Sequence, residues 1–136
     1  MIIKQEDAIG LMVMVSPVLW TSEHMGKVGI IEFTDFPNDK IWVRFEDEEV
    51  DCFSSGTLFV LKNADELNEL AETNRAFFWA HVIKNLQSLA LLQASGSDSD
   101  LKSAFAALQD DPDLHRLATI RLNEVIEPAP RRKIGR

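Results

Sequence analysis

Lys40-Ile41-Trp42-Val43-Arg44-Phe45, then the acidic run Glu46-Asp47-Glu48-Glu49, then Val50-Asp51-Cys52-Phe53: this stretch decides the fold. Ile41, Val43 and Phe45 alternate with Lys40, Trp42 and Arg44, the period of two that turns one face of a strand to a core and the other away from it. The four acids cannot be buried together and read as a turn, so the stretch predicts strands over 40–45 and 50–53. In the second strand Cys52 alternates with an outward Asp51, which places the thiol in the core as a small hydrophobe.

On both sides of this stretch, short runs rich in β-branched and aromatic residues recur. They predict further strands over 11–15, 27–33 and 57–61, separated by Ser16-Pro17, the stretch through Gly26, Asp35-Phe36-Pro37-Asn38-Asp39 and Ser54-Ser55-Gly56. Five short strands in about fifty residues suit a small, strongly bent sheet or barrel.

Three motifs carry a family likeness: Gly26-Lys27-Val28-Gly29-Ile30-Ile31, Ile41-Trp42-Val43-Arg44-Phe45-Glu46-Asp47 and Leu58-Phe59-Val60-Leu61. Together they resemble an SH3-like β-barrel of the KOW and Tudor kind. In those families glycine usually follows Phe-Glu-Asp at the hairpin; here Glu48 stands. The resemblance implies the barrel fold and a habit of binding peptides, modified side chains or RNA, without naming a partner.

After Lys62 the apolar period becomes helical. Asn63, with Glu66 three residues on, has the polarity of a capping box, and no Gly or Pro interrupts the chain before Gln93, predicting one helix of about 45 Å. Its second half is apolar around most of its circumference, so it is expected to be buried on several sides, against the barrel or against a second copy in a homodimer. The strands 27–33 and 57–61 are apolar on both faces, and Phe77-Phe78-Trp79 is the expected cover. Gln93–Ser99 reads as a connector, a short helix follows from Asp100, and Asp111-Pro112 opens another that should run on through Leu122 and Val125. The predicted organisation is α+β: a five-stranded SH3-like barrel over residues 1–62, then a long helix and two short ones over 63–127, then a disordered basic tail over 128–136.

Charge narrows the function. The 136 residues carry 22 acids against 14 Lys and Arg, a net −8. Residues 1–62 and 63–127 each have a net charge of −6, and residues 128–136 carry +4. Generic adhesion of the body to nucleic acid or anionic lipid is therefore excluded, and contact with a polyanion is left to Arg131, Arg132 and Lys133. No apolar run reaches the roughly 20 residues of a membrane span. Acids at Glu6 and Asp7 stand where a signal peptide has its basic region, so a cytoplasmic location is expected.

No residue set nominates a reaction. His24, His81 and His115 have no metal-ligand spacing, the single Cys52 has no local base, and no phosphate loop, nucleophile elbow or HExxH motif occurs. Glu46–Glu49 with Asp51 lacks the ligand alternation of a calcium loop. No enzyme, cofactor or metal is predicted.

The aromatic residues are more informative. Trp42 and Arg44 point away from the core face, and with Trp20, Phe36 and Phe53 they occupy the loops and edges where SH3-like barrels commonly form a ligand groove. The competing reading is that helices cover Trp42. The expected function is a non-enzymatic protein–protein interaction module using that groove. Glu46, Asp47, Glu48 and Glu49 supply contacts for a basic partner. The alternative is an acidic inhibitor or immunity-type protein that neutralises a basic partner, and a third reading is a nucleic-acid-associated KOW-like module working through the tail.

Overall fold

Lys40–Phe45 and Val50–Phe53 are strands with the predicted bounds, and they form one edge of an antiparallel sheet. The structure, a computed structural model, describes residues 2–126. In chain order the elements are α1 (Gln5–Ala8), β1 (Met12–Val15), β2 (Val28–Asp35), β3 (Lys40–Phe45), β4 (Val50–Phe53), β5 (Leu58–Leu61), α2 (Ala64–Thr73), α3 (Ala80–Ser95), α4 (Asp98–Gln109), α5 (Pro112–Ala118) and β6 (Thr119–Arg121). Short 3-10 turns lie at Phe36–Asn38, Ser55–Thr57 and Leu122–Glu124. The basic tail, with Arg131, Arg132 and Lys133, lies outside the described residues. Among the described residues no helix is long and apolar enough to cross a membrane.

The sheet has six strands in the order β4-β3-β2-β1-β5-β6 rather than the five expected. The sixth comes from a segment read as helix. Thr119 ends α5: its N–H and its hydroxyl both donate to the carbonyl of His115, the hydroxyl at 2.6 Å. The β-branched pair Thr119-Ile120 then lies extended against β5, with Leu61 opposite Thr119 and Phe59 opposite Arg121.

Strand β1 is buried on both faces. Val13 and Val15 join Ile31, Ile41, Val43, Phe45, Phe53, Leu58 and Val60 in an inner core, closed by Ala8, Leu122 and Val125. Met12 and Met14 face the other way, into a second core built with the helices around Leu67, Leu86, Leu89, Phe105 and Leu108. Truncating any of these fully buried leucines to alanine removes contacts worth about 2–5 kcal/mol.

The single long helix does not form. Asn74 ends α2, its side-chain Nδ2 donating to the Leu70 carbonyl at 2.9 Å, and its own carbonyl accepts the N–H groups of both Phe77 and Phe78. The chain folds back at an extended Trp79 and α3 packs on α2. A straight rod of this length would carry half its apolar face past the sheet, whereas the break returns both halves to one core. Ile83, Leu86, Leu89 and Ala90 of α3 are buried within the chain, while Leu91 of the same helix is exposed. The expected cover is also different: Phe77 and Trp79 are 83% and 77% exposed, and only Phe78 packs on the helical core.

The later helices begin as their caps dictate. The Asn63 side chain accepts from the Glu66 N–H, Ser97 from Asp100, and Asp111 from Leu114, with Pro112 at the first position of α5. Gly96 ends α3 with φ 70°, a left-handed conformation that costs glycine nothing. The connector is thus two residues, and α4 starts at Asp98.

Candidate functional site

Loop 16–27 folds over the β3–β4 hairpin and brings His24 beneath it. The imidazole is 2% exposed and lies flat on Phe45, centroids 4.0 Å apart and planes 1° from parallel, with Phe53 edge-on at 6.5 Å. Nε2 is 2.9 Å from Glu49 Oε2, and Nδ1 is 3.4 Å from Asp51 Oδ2 without the alignment of a hydrogen bond. Sequence spacing gave no sign of this, because the carboxylates stand 25 and 27 residues away.

The acidic turn is held from three sides. Lys102 of α4 reaches Glu46, Nζ to Oε1 3.0 Å; the Asp47 carboxylate accepts the Glu49 N–H; Arg44 donates to Glu48 through Nη1 at 2.7 Å and to Glu32 through Nε at 3.0 Å and through Nη2. Hydrogen bonds to Glu32 first and Glu48 second push the Arg44 pKa further above its ordinary value, keeping the guanidinium charged. Glu48 has φ 69°, so the position that resembles the barrel families' glycine adopts the conformation glycine favours, with glutamate in it.

The expected groove of aromatic residues does not assemble as one surface. Trp42 is half-buried and packs on Phe33, centroids 5.3 Å apart. A bulge at Glu32 makes this contact: Ile31 pairs with Val43 but Phe33 with Trp42, so Glu32 and Phe33 are both exposed while Ile31 and Thr34 point inward. Val50 and Cys52, opposite Arg44 and Trp42, are exposed beside them. Cys52 is therefore a surface thiol and not a core residue, since its partner in register, Trp42, faces out and Phe53 and Ile41 face in. Phe53 is 7% exposed and belongs to the inner core. Phe36 is half-buried at the edge of that core, its N–H donating to Gln5 Oε1 at 2.9 Å. Trp20 is 86% exposed in loop 16–27, apart from the Phe33–Trp42 pair.

A groove does form on the other side of that loop. It has a volume of about 580 Å³ and lies between Pro17, Val18 and Met25 of the loop, Phe59 of β5, and Leu108 and Pro112 of the helices. Its charged lining residues are Lys27 and Arg121, with His115 in its wall and no carboxylate among the lining residues. Among the described residues neither cation forms an ion pair, and the Arg121 guanidinium sits 5.7 Å from the centroid of Phe59. His115 is buried, Nε2 has no hydrogen-bond partner, and burial lowers the pKa, which favours the neutral ring. A lining of this kind suits an apolar ligand bearing negative charge. No protein-family model, curated protein or solved structure matches the chain.

Proposed function

We propose that this protein is a non-enzymatic binding module, a curled SH3-like sheet backed by helices, whose groove beside loop 16–27 takes an apolar, acidic segment of another protein. The observation that carries the reading is local charge: in a chain of net −8, this mostly apolar groove is lined by Lys27 and Arg121 and by no acid. Complementary potential of this kind selects partners and steers their approach.

Support for the curl comes from the β4–β5 connection. In a flat sheet of the observed order, β4 and β5 would lie about 19 Å apart, four strand spacings. Residues 54–57, three of them in a 3-10 turn, reach no more than about 14 Å. Curling β5 back toward β4 relieves the mismatch, and Phe53 and Leu58 then share the inner core to which both belong.

The reading as an acidic inhibitor of a basic partner has less to stand on, because Glu46, Glu48 and Glu49 are each engaged by Lys102, Arg44 and His24 within the chain. A homodimer through α3 would have to use the side of Leu91, the large apolar residue that this helix leaves exposed.

The test uses an apolar anion as probe. 1-Anilinonaphthalene-8-sulfonate should bind the native protein at one saturable site, and Lys27→Glu/Arg121→Glu should abolish the binding with the circular dichroism unchanged. A protein captured from native lysate by the wild type should be lost with the same variant and should displace the probe. Probe binding and capture that both survive the charge reversal would overturn the reading.

A further inference from the structure

We propose that Glu23, His24 and Glu49 form a binding site for one divalent transition-metal ion of the zinc class. One ligand atom from each of the three lies within 4.8 Å of the others, a spread that a single ion can bridge. The cluster is more than a group of surface acids, because at its centre is an imidazole that is 2% exposed and fixed in plane by its stack on Phe45. Such a ring is a ligand already oriented, while Glu23 and Glu49 are exposed residues, Glu49 already in contact with Nε2.

The distances fit with small movements. Ligands about 2.0–2.1 Å from a tetrahedral zinc ion stand about 3.4 Å from one another. His24 Nε2 and Glu49 Oε2 are 2.9 Å apart, so admitting the ion opens this contact by a few tenths of an ångström. The other ring nitrogen completes the arrangement. Nδ1 is buried and has no hydrogen-bond partner, yet Asp51 Oδ2 is 3.4 Å away. With Nε2 bound to the metal, the proton resides on Nδ1, and a small turn of the Asp51 carboxylate toward it gives the carboxylate–histidine–metal relay that orients many ligating histidines. Beside the cluster, Glu23 and Asp51 line an open cleft of about 430 Å³ between loop 16–27 and β4. One nitrogen with two carboxylates suits zinc or its neighbours in the first transition row; calcium and magnesium prefer a shell of oxygen alone.

The site is tested by calorimetric titration of the untagged full chain with zinc chloride, with calcium and magnesium chloride as comparisons. The expected result is one zinc site per chain with Kd below about 100 µM, and no matching heat from calcium or magnesium. Glu23→Gln/Glu49→Gln should remove binding, and Asp51→Asn should weaken it about 10- to 100-fold. His24→Phe keeps an aromatic ring on Phe45 and should abolish binding with melting temperature retained. If that variant unfolds, the exposed Glu23/Glu49 pair decides the matter alone. Absence of a saturable zinc site overturns the proposal, as does zinc binding that survives Glu23→Gln/Glu49→Gln or disappears with Cys52→Ser.

Discussion

Gly29 in β2 lies so close to Val43 in β3 that a Cβ added to it would fall 2.5 Å from Val43 Cγ1 and 2.7 Å from the Arg44 carbonyl oxygen. A side-chain terminus can yield; a paired strand's backbone cannot do so without disturbing the ladder. Gly29→Ala should therefore destabilise the fold by about 1–3 kcal/mol, seen as a lower urea midpoint at unchanged slope. Adding Val43→Ala should not restore the wild-type value, since the carbonyl contact remains. A variant as stable as the wild type would mean that β2 and β3 are further apart than this.

The Asp111 cap offers a second measurement of local design. Its carboxylate accepts the Leu114 N–H at 3.1 Å and sits ahead of Pro112, at the point where the chain turns from α4 into α5. Asp111→Ala should cost about 1 kcal/mol. Phe77→Ala and Trp79→Ala remove much larger side chains but leave exposed positions, so each should change stability by less than about 0.5 kcal/mol. Thermal melts of the three variants check the ranking, and a Trp79 loss exceeding that of Asp111 would contradict it.

His115 should make stability fall in mild acid. Its folded-state pKa lies below the 6.5 of an unperturbed histidine because the ring is buried. Between the two values the unfolded chain binds the extra proton, so this contribution is complete above pH 6.5 and is lost as pH falls through the folded pKa. His115→Gln lacks the titration. Unfolding midpoints compared between pH 7.5 and pH 5.5 should show the wild type losing more than the variant, with the carboxylates common to both cancelling in the difference. Parallel losses would show that His115 titrates as it does in water.

Cys52 should react as a surface thiol. In native buffer Ellman's reagent should modify one thiol per chain at a rate that denaturant raises only modestly. Reaction only after unfolding would return the residue to the core.

Alternation made the strands legible, since Ile41, Val43 and Phe45 had to share a face whatever lay outside. Where reading failed, a tertiary partner decided. Thr119-Ile120-Arg121 follows a helix with no Gly or Pro between, and only the free edge of β5 makes it a strand. Asn74 breaks the long helix through its own side chain, while composition across 63–93 shows no breaker. Alternation with Asp51 alone points Cys52 inward, whereas the parity of β4 is set by the register that pairs Cys52 with Trp42. Among the candidate site residues, Trp42 and Arg44 face outward as the alternation requires, Trp42 half-buried and Arg44 exposed. Phe53 belongs to the core and Phe36 packs at its edge. His24, Lys27 and Arg121 lie in a loop and in two different strands or their flanks, with no shared period, so their neighbours could be known only from the fold.

The pairing of β6 with β5 also governs how the chain is born. Residues 58–61 leave the ribosome long before 119–121, and through that interval the strand Leu58-Phe59-Val60-Leu61 has a partner on one side only. An unpaired apolar edge is a template for a neighbouring chain. The nascent protein is thus adhesive until three late residues arrive to cap it, and a chain cut short after α4 keeps that edge for good.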